Sequence, residues 1–245
     1  MNKLFPATKL PIFVTVASIL GMLIRIWLLA DGIDKEGLLI SGHPANVLCW
    51  VITGVVLIGI LAGTHRLLSA AKYEFNFPAS IPGGIGAAAA AMGILVSAFA
   101  GILNGPDGLS LTMGVLGFIS AAALVFLGYC RWKGERCSVL LHGVVCLYLM
   151  VYLLCQYRLW SANPQTQDYC FQLLGGVCLL LGVYRRACFD GNIGNRKSYV
   201  FFRLLGAYFC TVAIPGSSDP FFYLTGAVWS LTDLCSLVPM PKARG

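Results

Sequence analysis

The sequence predicts an all-α fold, a polytopic transmembrane helix bundle of about eight spans, as a single domain over residues 1–245. Three observations carry that expectation. Hydrophobic residues make up 58% of the chain and charged ones only 11%, against roughly 25% charged in an average soluble domain, so there is too little polar side chain to clothe a water-soluble surface. The apolar residues recur in runs near the length that crosses about 30 Å of hydrocarbon at about 1.5 Å per residue. The lysines and arginines gather in alternate connections between those runs.

The first run, Pro11 to Ala30, contains Arg25 and ends in LLADG, a poor cleavage site, so it reads as a retained helix and not as a secretory leader. The second is Ala45 to Ala62. The third, Ile81 to Leu103, opens with Ser80 ahead of Pro82, a cap followed by a first-turn proline. Its GGIGAAAAAMG stretch sets Ala89, Gly93, Ser97 and Gly101 on one face, a surface of small residues that a neighbouring backbone can approach. That face predicts a position at the bundle centre. Gly59 with Gly63, and Gly117 with Ala121, offer shorter surfaces of the same kind. The NGPDG turn at 104–108 leads into the fourth run, Leu109 to Tyr129. The fifth runs from Ser138 to Tyr157. The sixth, Tyr169 to Tyr184, is short for a span and reads as little tilted or partly re-entrant. The seventh, Ser198 to Ile214, is closed by Pro215 and Gly216, and the eighth, Pro220 to Val238, starts behind Asp219 as its cap.

Orientation follows from the cations, because basic residues resist translocation. Lys3, Lys9, Arg66, Lys72, Arg131, Lys133, Arg136, Arg185, Arg186, Arg196, Lys197, Lys242 and Arg244 fall on one side, and only Lys35 and Arg158 on the other. This predicts both termini in the cytoplasm. Asp31, Asp34, Glu36, Asp107, Asp168 and Asp219 then lie outside. The cations sit in short turns and form no stripe, so the net charge of +7 does not describe a nucleic-acid surface. None of the ten cysteines falls in a predicted outside loop, which excludes an extracellular disulfide framework and leaves them as small apolar fillers.

The halves 1–137 and 138–245 echo each other in order. Arg25-Ile26-Trp27 is matched by Arg158-Leu159-Trp160, Cys49-Trp50 by Cys170-Phe171, Gly54 and Val56 by Gly175 and Val177, and His65-Arg66 by Arg185-Arg186. The shared order predicts a parallel four-plus-four internal repeat, with a site between the halves near mid-depth.

Ionisable side chains inside spanning segments are the sharpest functional pointers, each costing on the order of 2.5–3.5 kcal/mol at the bilayer centre. Arg203, Asp233 and His142 all fall roughly 6–8 Å below the cytoplasmic interface by helix rise. Matched depth and opposite charge predict an Arg203–Asp233 ion pair with His142 as a third member. Such a cluster is either a gate or proton-linked switch at the inner mouth, or a clamp between the last two helices. A second set, Arg25, Trp27, Trp50, Arg158, Trp160 and Gln172, is placed near the outer mouth. Aromatic and basic groups there could receive an anionic or aromatic small molecule, and interfacial anchoring accounts for the same residue types.

Catalytic signatures are absent from the sequence: there is no HExxH, no GxSxG and no Walker loop, and GNIGN at 191–195 lacks the lysine a phosphate loop needs. Asp31, Asp34, Glu36 and His43 carry ligand atoms without a metal-binding spacing. No enzyme activity, cofactor or metal is expected.

The stretches DKEGLLISGHPA (34–45) and NFPAS (76–80) resemble segments of uncharacterised bacterial multi-pass integral membrane proteins. The resemblance implies no activity; it implies a bacterial inner or plasma membrane. The leading functional expectation is a small-molecule transporter or membrane substrate-binding component. The alternative is a non-transporting subunit, sensor or scaffold with a membrane protein partner, because the loops are too short to form a domain of their own.

Overall fold

In the computed structural model the described residues are 9–34, 39–40, 42–67, 71–104, 108–160 and 166–238. Lys3, Lys35, Glu36, Asp107, Lys242 and Arg244, and the side chain of Asp168, lie outside them. The elements run α1 (Lys9–Asp31), α2 (Pro44–His65), α3 (Tyr73–Asn76), α4 (Ile81–Asn104), α5 (Gly108–Lys133), α6 (Val139–Trp160), α7 (Thr166–Asp190), α8 (Arg196–Ala213) and α9 (Pro220–Cys235). Among the described residues the only β pairing is a single bridge between Ile33 and Leu39.

Six helices, α1, α2 and α4 to α7, are long and apolar enough to cross a membrane. Two others fall short of that measure for different reasons: α8 carries Arg196, Lys197 and Arg203, and α9 has 16 residues. The outward faces confirm the inverted polarity. Val51, Val55 and Ile58 of α2 and Ile85, Met92 and Phe99 of α4 are exposed, which is sustainable where the surroundings are hydrocarbon.

The helix ends follow from ordinary capping chemistry. Ser80 Oγ accepts from Gly83 N at 3.2 Å at the start of α4, and Asn195 Oδ1 accepts from Lys197 N and Ser198 N at the start of α8. Gly216, at φ +79°, turns the chain between α8 and α9.

Two expectations are corrected. The sixth apolar run is not short: α7 spans 25 residues to Asp190, because the helix continues past the end of the apolar run through Arg185 and Arg186. Nor is the small-residue helix central. Helix α4 packs chiefly on α5 and α9, whereas α8 packs on α1, α2, α7 and α9, and thirteen of its eighteen residues are buried. The small residues of α4 serve close contact instead: a Cβ at Gly93 would overlap Thr225, and one at Gly86 would overlap Thr232, both on α9.

Pairwise packing runs α4, α5, α6, α7, α8, α9 and back to α4. These six helices therefore form a closed circuit, with α1 and α2 packed against its α8 side. Thr53 of α2 is joined to Tyr208 of α8 at 2.9 Å. Between α2 and α4, the described residues around α3 turn partly inward, with Lys72, Glu74 and Phe75 exposed. Tyr73, Asn76 and Phe77 are fully buried, so this stretch enters one end of the circuit as a plug.

Candidate functional site

The plugged end collects charge from all around the circuit. Arg131 comes from α5, His142 from α6, Arg186 and Asp190 from α7, Arg203 from α8 and Asp233 from α9, and all six line one cavity of about 30 Å³. Asp233 is the hub. Its Oδ2 lies 3.0 Å from Arg203 Nη2 and accepts a hydrogen bond from Tyr199 Oη, and its Oδ1 lies 3.6 Å from Arg131 Nε. Arg203 is 0% exposed and Asp233 4%, so neither charge could be tolerated without the other.

The remaining guanidinium surface is covered by aromatic rings. The Arg203 guanidinium sits 4.1 Å from the Trp229 ring centroid. Arg186 lies 3.5 Å from that of Phe77 and 4.9 Å from that of Tyr73, and donates to Tyr73 Oη at 3.2 Å. Ring faces carry negative potential, so this desolvated stacking offsets part of the cost of burying the cations. Arg131 grips the plug directly: Nη1 donates to the Pro78 carbonyl, while Nη2 donates to Ser236 O and Oγ at 2.9 and 2.6 Å. Arg196 adds a contact to Asn76 Oδ1 at 3.0 Å. Burial raises the Tyr73 phenol, partly opposed by the Arg186 cation beside it.

His142 shares the cavity but does not reach Asp233. Its Nε2 is 3.4 Å from Asp190 Oδ2, so the expected triad resolves into two neighbouring pairs. The reason is that α6 runs directly beside α7, which carries Asp190, and meets α9 only through long side chains such as Tyr152 and Phe222. Among the described residues, Arg203 Nε and Nη1 and Arg186 Nη1 are buried with no hydrogen-bond partner, and the cavity has room for one or two waters at about 10–15 Å³ each. Cys130 and Cys137 also line it, their sulfurs 3.4 Å apart. Burial and the neighbouring Cys130 push the Cys137 thiol up to about 12, so it stands as a thiol and not as a thiolate.

Arg131, Arg186 and Asp190 were missed as site residues. The first two follow the ends of apolar runs and read as loop cations, yet both helices continue past those ends and turn these side chains inward. A Lys or Arg within two turns of an apolar run, on the same face as its small or buried positions, is the signal that was available.

The opposite end is open. One cavity of about 480 Å³ is lined by Ser97 and Gly101 of α4, Met113 of α5, Gln156 and Arg158 of α6, and Asp219. A second, of about 410 Å³, is lined by Arg25, Trp160, Tyr169 and Gln172. They share Gln156, Leu159 and Ser218. The structure thus brings Arg25, Trp160 and Gln172 to one cavity and Arg158 to its neighbour. Trp27 and Trp50 line neither: Trp27 donates to Asp31 at 3.0 Å, and Trp50 stacks on Phe171 at 5.4 Å, whose ring also faces Arg25 at 5.5 Å. Those two tryptophans have partners of an anchoring kind.

Asp219 was read as a cap and as one of the acids on the outside, not as a site residue. It occupies the cap position of α9 without a side-chain capping hydrogen bond; Oδ2 instead accepts from Ser97 Oγ at 3.3 Å, Tyr152 Oη at 3.2 Å and Gln156 Nε2 at 3.3 Å. Burial raises this carboxyl above its ordinary value, and the hydrogen bonds from Tyr152 and Ser97 pull it back part of the way. Between the two ends the circuit is filled by side chains such as Tyr148, Tyr152, Phe222 and Trp229, with a gap of only about 10 Å³.

Among the described residues no group of three or more His, Cys, Asp or Glu side chains could hold a metal ion. The six long apolar helices mark a multi-pass helical membrane protein. Comparison with known protein families, curated proteins and solved structures gives no match, so the functional argument rests on the geometry.

Proposed function

We propose that the chain crosses a bacterial inner or plasma membrane eight times, with both termini cytoplasmic, and binds a small molecule at its outer end as a transporter or substrate-binding component. The two shorter helices, α8 and α9, run beside the six long ones in the same circuit, which supports counting them as spans. The cation bias of the loops supports an orientation with the plugged end inside.

The observation that carries the binding reading is the cavity of about 480 Å³, walled by α4 and α5 from one half of the chain and by α6 and the start of α9 from the other. Its size is that of a small-molecule pocket. The charge cluster and plug below would then be the closed inner gate of an outward-open state. The four-plus-four repeat forms no part of this reading: α7 packs on α8, whereas α2, its counterpart, has no comparable interface with α4.

Two measurements test it. In intact cells a membrane-impermeant maleimide should label Ser218→Cys, and should label Glu135→Cys only after permeabilisation. The full chain purified in detergent should carry a small molecule by mass spectrometry that is lost in Ala100→Phe, which fills the cavity. Reversed labelling would overturn the topology, and a stoichiometric protein partner with an empty cavity would overturn the binding reading.

A further inference from the structure

Asp219 is a partly buried carboxylate in an unusual setting. Its hydrogen-bond donors are a serine, a tyrosine and a glutamine, all neutral. Among the described residues, no Lys, Arg or His nitrogen comes within ion-pair distance of it. The contrast with Asp233, which has two guanidinium partners, is sharp. The helix dipole of α9 favours a negative charge at this position and accounts for the acid being there, but not for its side chain turning away from the helix into a cavity wall.

The second observation is Gln156. It is 6% exposed, lines both outer cavities and gives its amide N–H to Asp219. That hydrogen bond fixes which end of the amide is which, since a carbonyl oxygen would repel the carboxylate. The Gln156 Oε1 is consequently an acceptor, and it is buried with no hydrogen-bond partner among the described residues. Leaving such a group unmatched is costly. A carboxylate without a cation and a carbonyl without a donor, side by side, call for a group that is positive and rich in N–H. The rest of the wall joins Ala100, Leu109, Met113 and Leu159, which suit an apolar body, to the polar Ser110 and Ser218 and to the Arg158 cation, which makes no ion pair with Asp219.

We propose that the outer cavity takes a small molecule bearing a protonated amine on an apolar body, the ammonium held between the Asp219 carboxylate and the Gln156 carbonyl. The inference rests on the binding reading above and adds the ligand class to it. A free amine from the medium and the amine headgroup of a lipid share this chemistry.

The test uses the full chain in phosphatidylcholine nanodiscs at pH 7.4 and compares equilibrium binding of phenethylamine, 2-phenylethanol and phenylacetate, which share a body and differ in the head. Phenethylamine is expected to bind at least tenfold more tightly than the other two. Asp219→Asn should erase that preference, and Ala100→Phe should abolish binding of all three. If Asp219→Asn does not fold, the wild-type chain tests the same charge: phenethylamine binding should weaken as the pH is lowered from 7.4 and Asp219 is protonated, while 2-phenylethanol binding stays constant. Competition by added phosphatidylethanolamine would support the proposal with a lipid as the source, and its absence would support it with a free amine. If the alcohol or the acid binds as tightly as the amine and Ala100→Phe still blocks it, the amine inference fails and the cavity reading stands. If nothing binds in a manner sensitive to Ala100→Phe, the cavity reading fails as well.

Discussion

At Asp233 one carboxylate answers to two guanidinium groups and a phenol. Asp233→Asn removes the counter-charge from two buried cations, and the expected loss is about 3–5 kcal/mol, read as a large fall in melting temperature in detergent. Exchanging Arg203 and Asp233 should restore little of it, because Arg131 and Tyr199 are placed for an acid at position 233 and would face an arginine. Asp219 gives the opposite signature. Its carboxyl is raised in the folded chain, so folding shifts its titration towards the protonated form relative to the unfolded chain. The associated stabilisation is complete below the unfolded value, about 3.9, and is lost as pH rises through the folded value. Melting curves should therefore show Asp219→Asn gaining on the wild type as pH rises from 4 to 7. The two acids differ in how much the sequence discloses. Asp233 and Arg203 interrupt apolar runs, and their depths can be counted. The partners of Asp219 lie 122, 67 and 63 residues away, and no local pattern announces them.

Among the elements, the contact between α4 and α9 depends on glycine. Gly93→Ala drives a methyl into Thr225, and overpacking of this kind costs typically about 1–3 kcal/mol. Pairing it with Thr225→Ala should return part of that loss, and a double-mutant cycle in detergent measures the coupling. The small-residue face of α4 was readable as a contact surface, but which helix would meet it was not, since four-residue spacing specifies closeness and not identity. The plug offers a second test. Phe77 lies under Arg186 and meets Phe189 and Tyr199 edge-on. Phe77→Ala should cost about 3–5 kcal/mol and should speed maleimide labelling of the buried Cys130. Nothing in YEFNFPAS marks it as an inserted segment, because its short length and mixed polarity suit an ordinary loop equally well.

For the whole molecule, class and helix positions were legible because the hydrocarbon length and the cost of charge leave few ways to arrange such a chain. The circuit was not legible, because it is a property of which helices touch. Its closing contact joins the first and last of its members, α4 and α9, and this bears on biogenesis. Helices enter the bilayer in the order in which the ribosome delivers them. Under the proposed eight-span topology, Arg131 and Arg203 are made before Asp233 and lack its counter-charge until α9 is added. A chain stalled before Pro220 would leave these guanidinium groups unneutralised and the circuit open between α4 and α8. Closure of the circuit and neutralisation of its charged end thus arrive together, with α9.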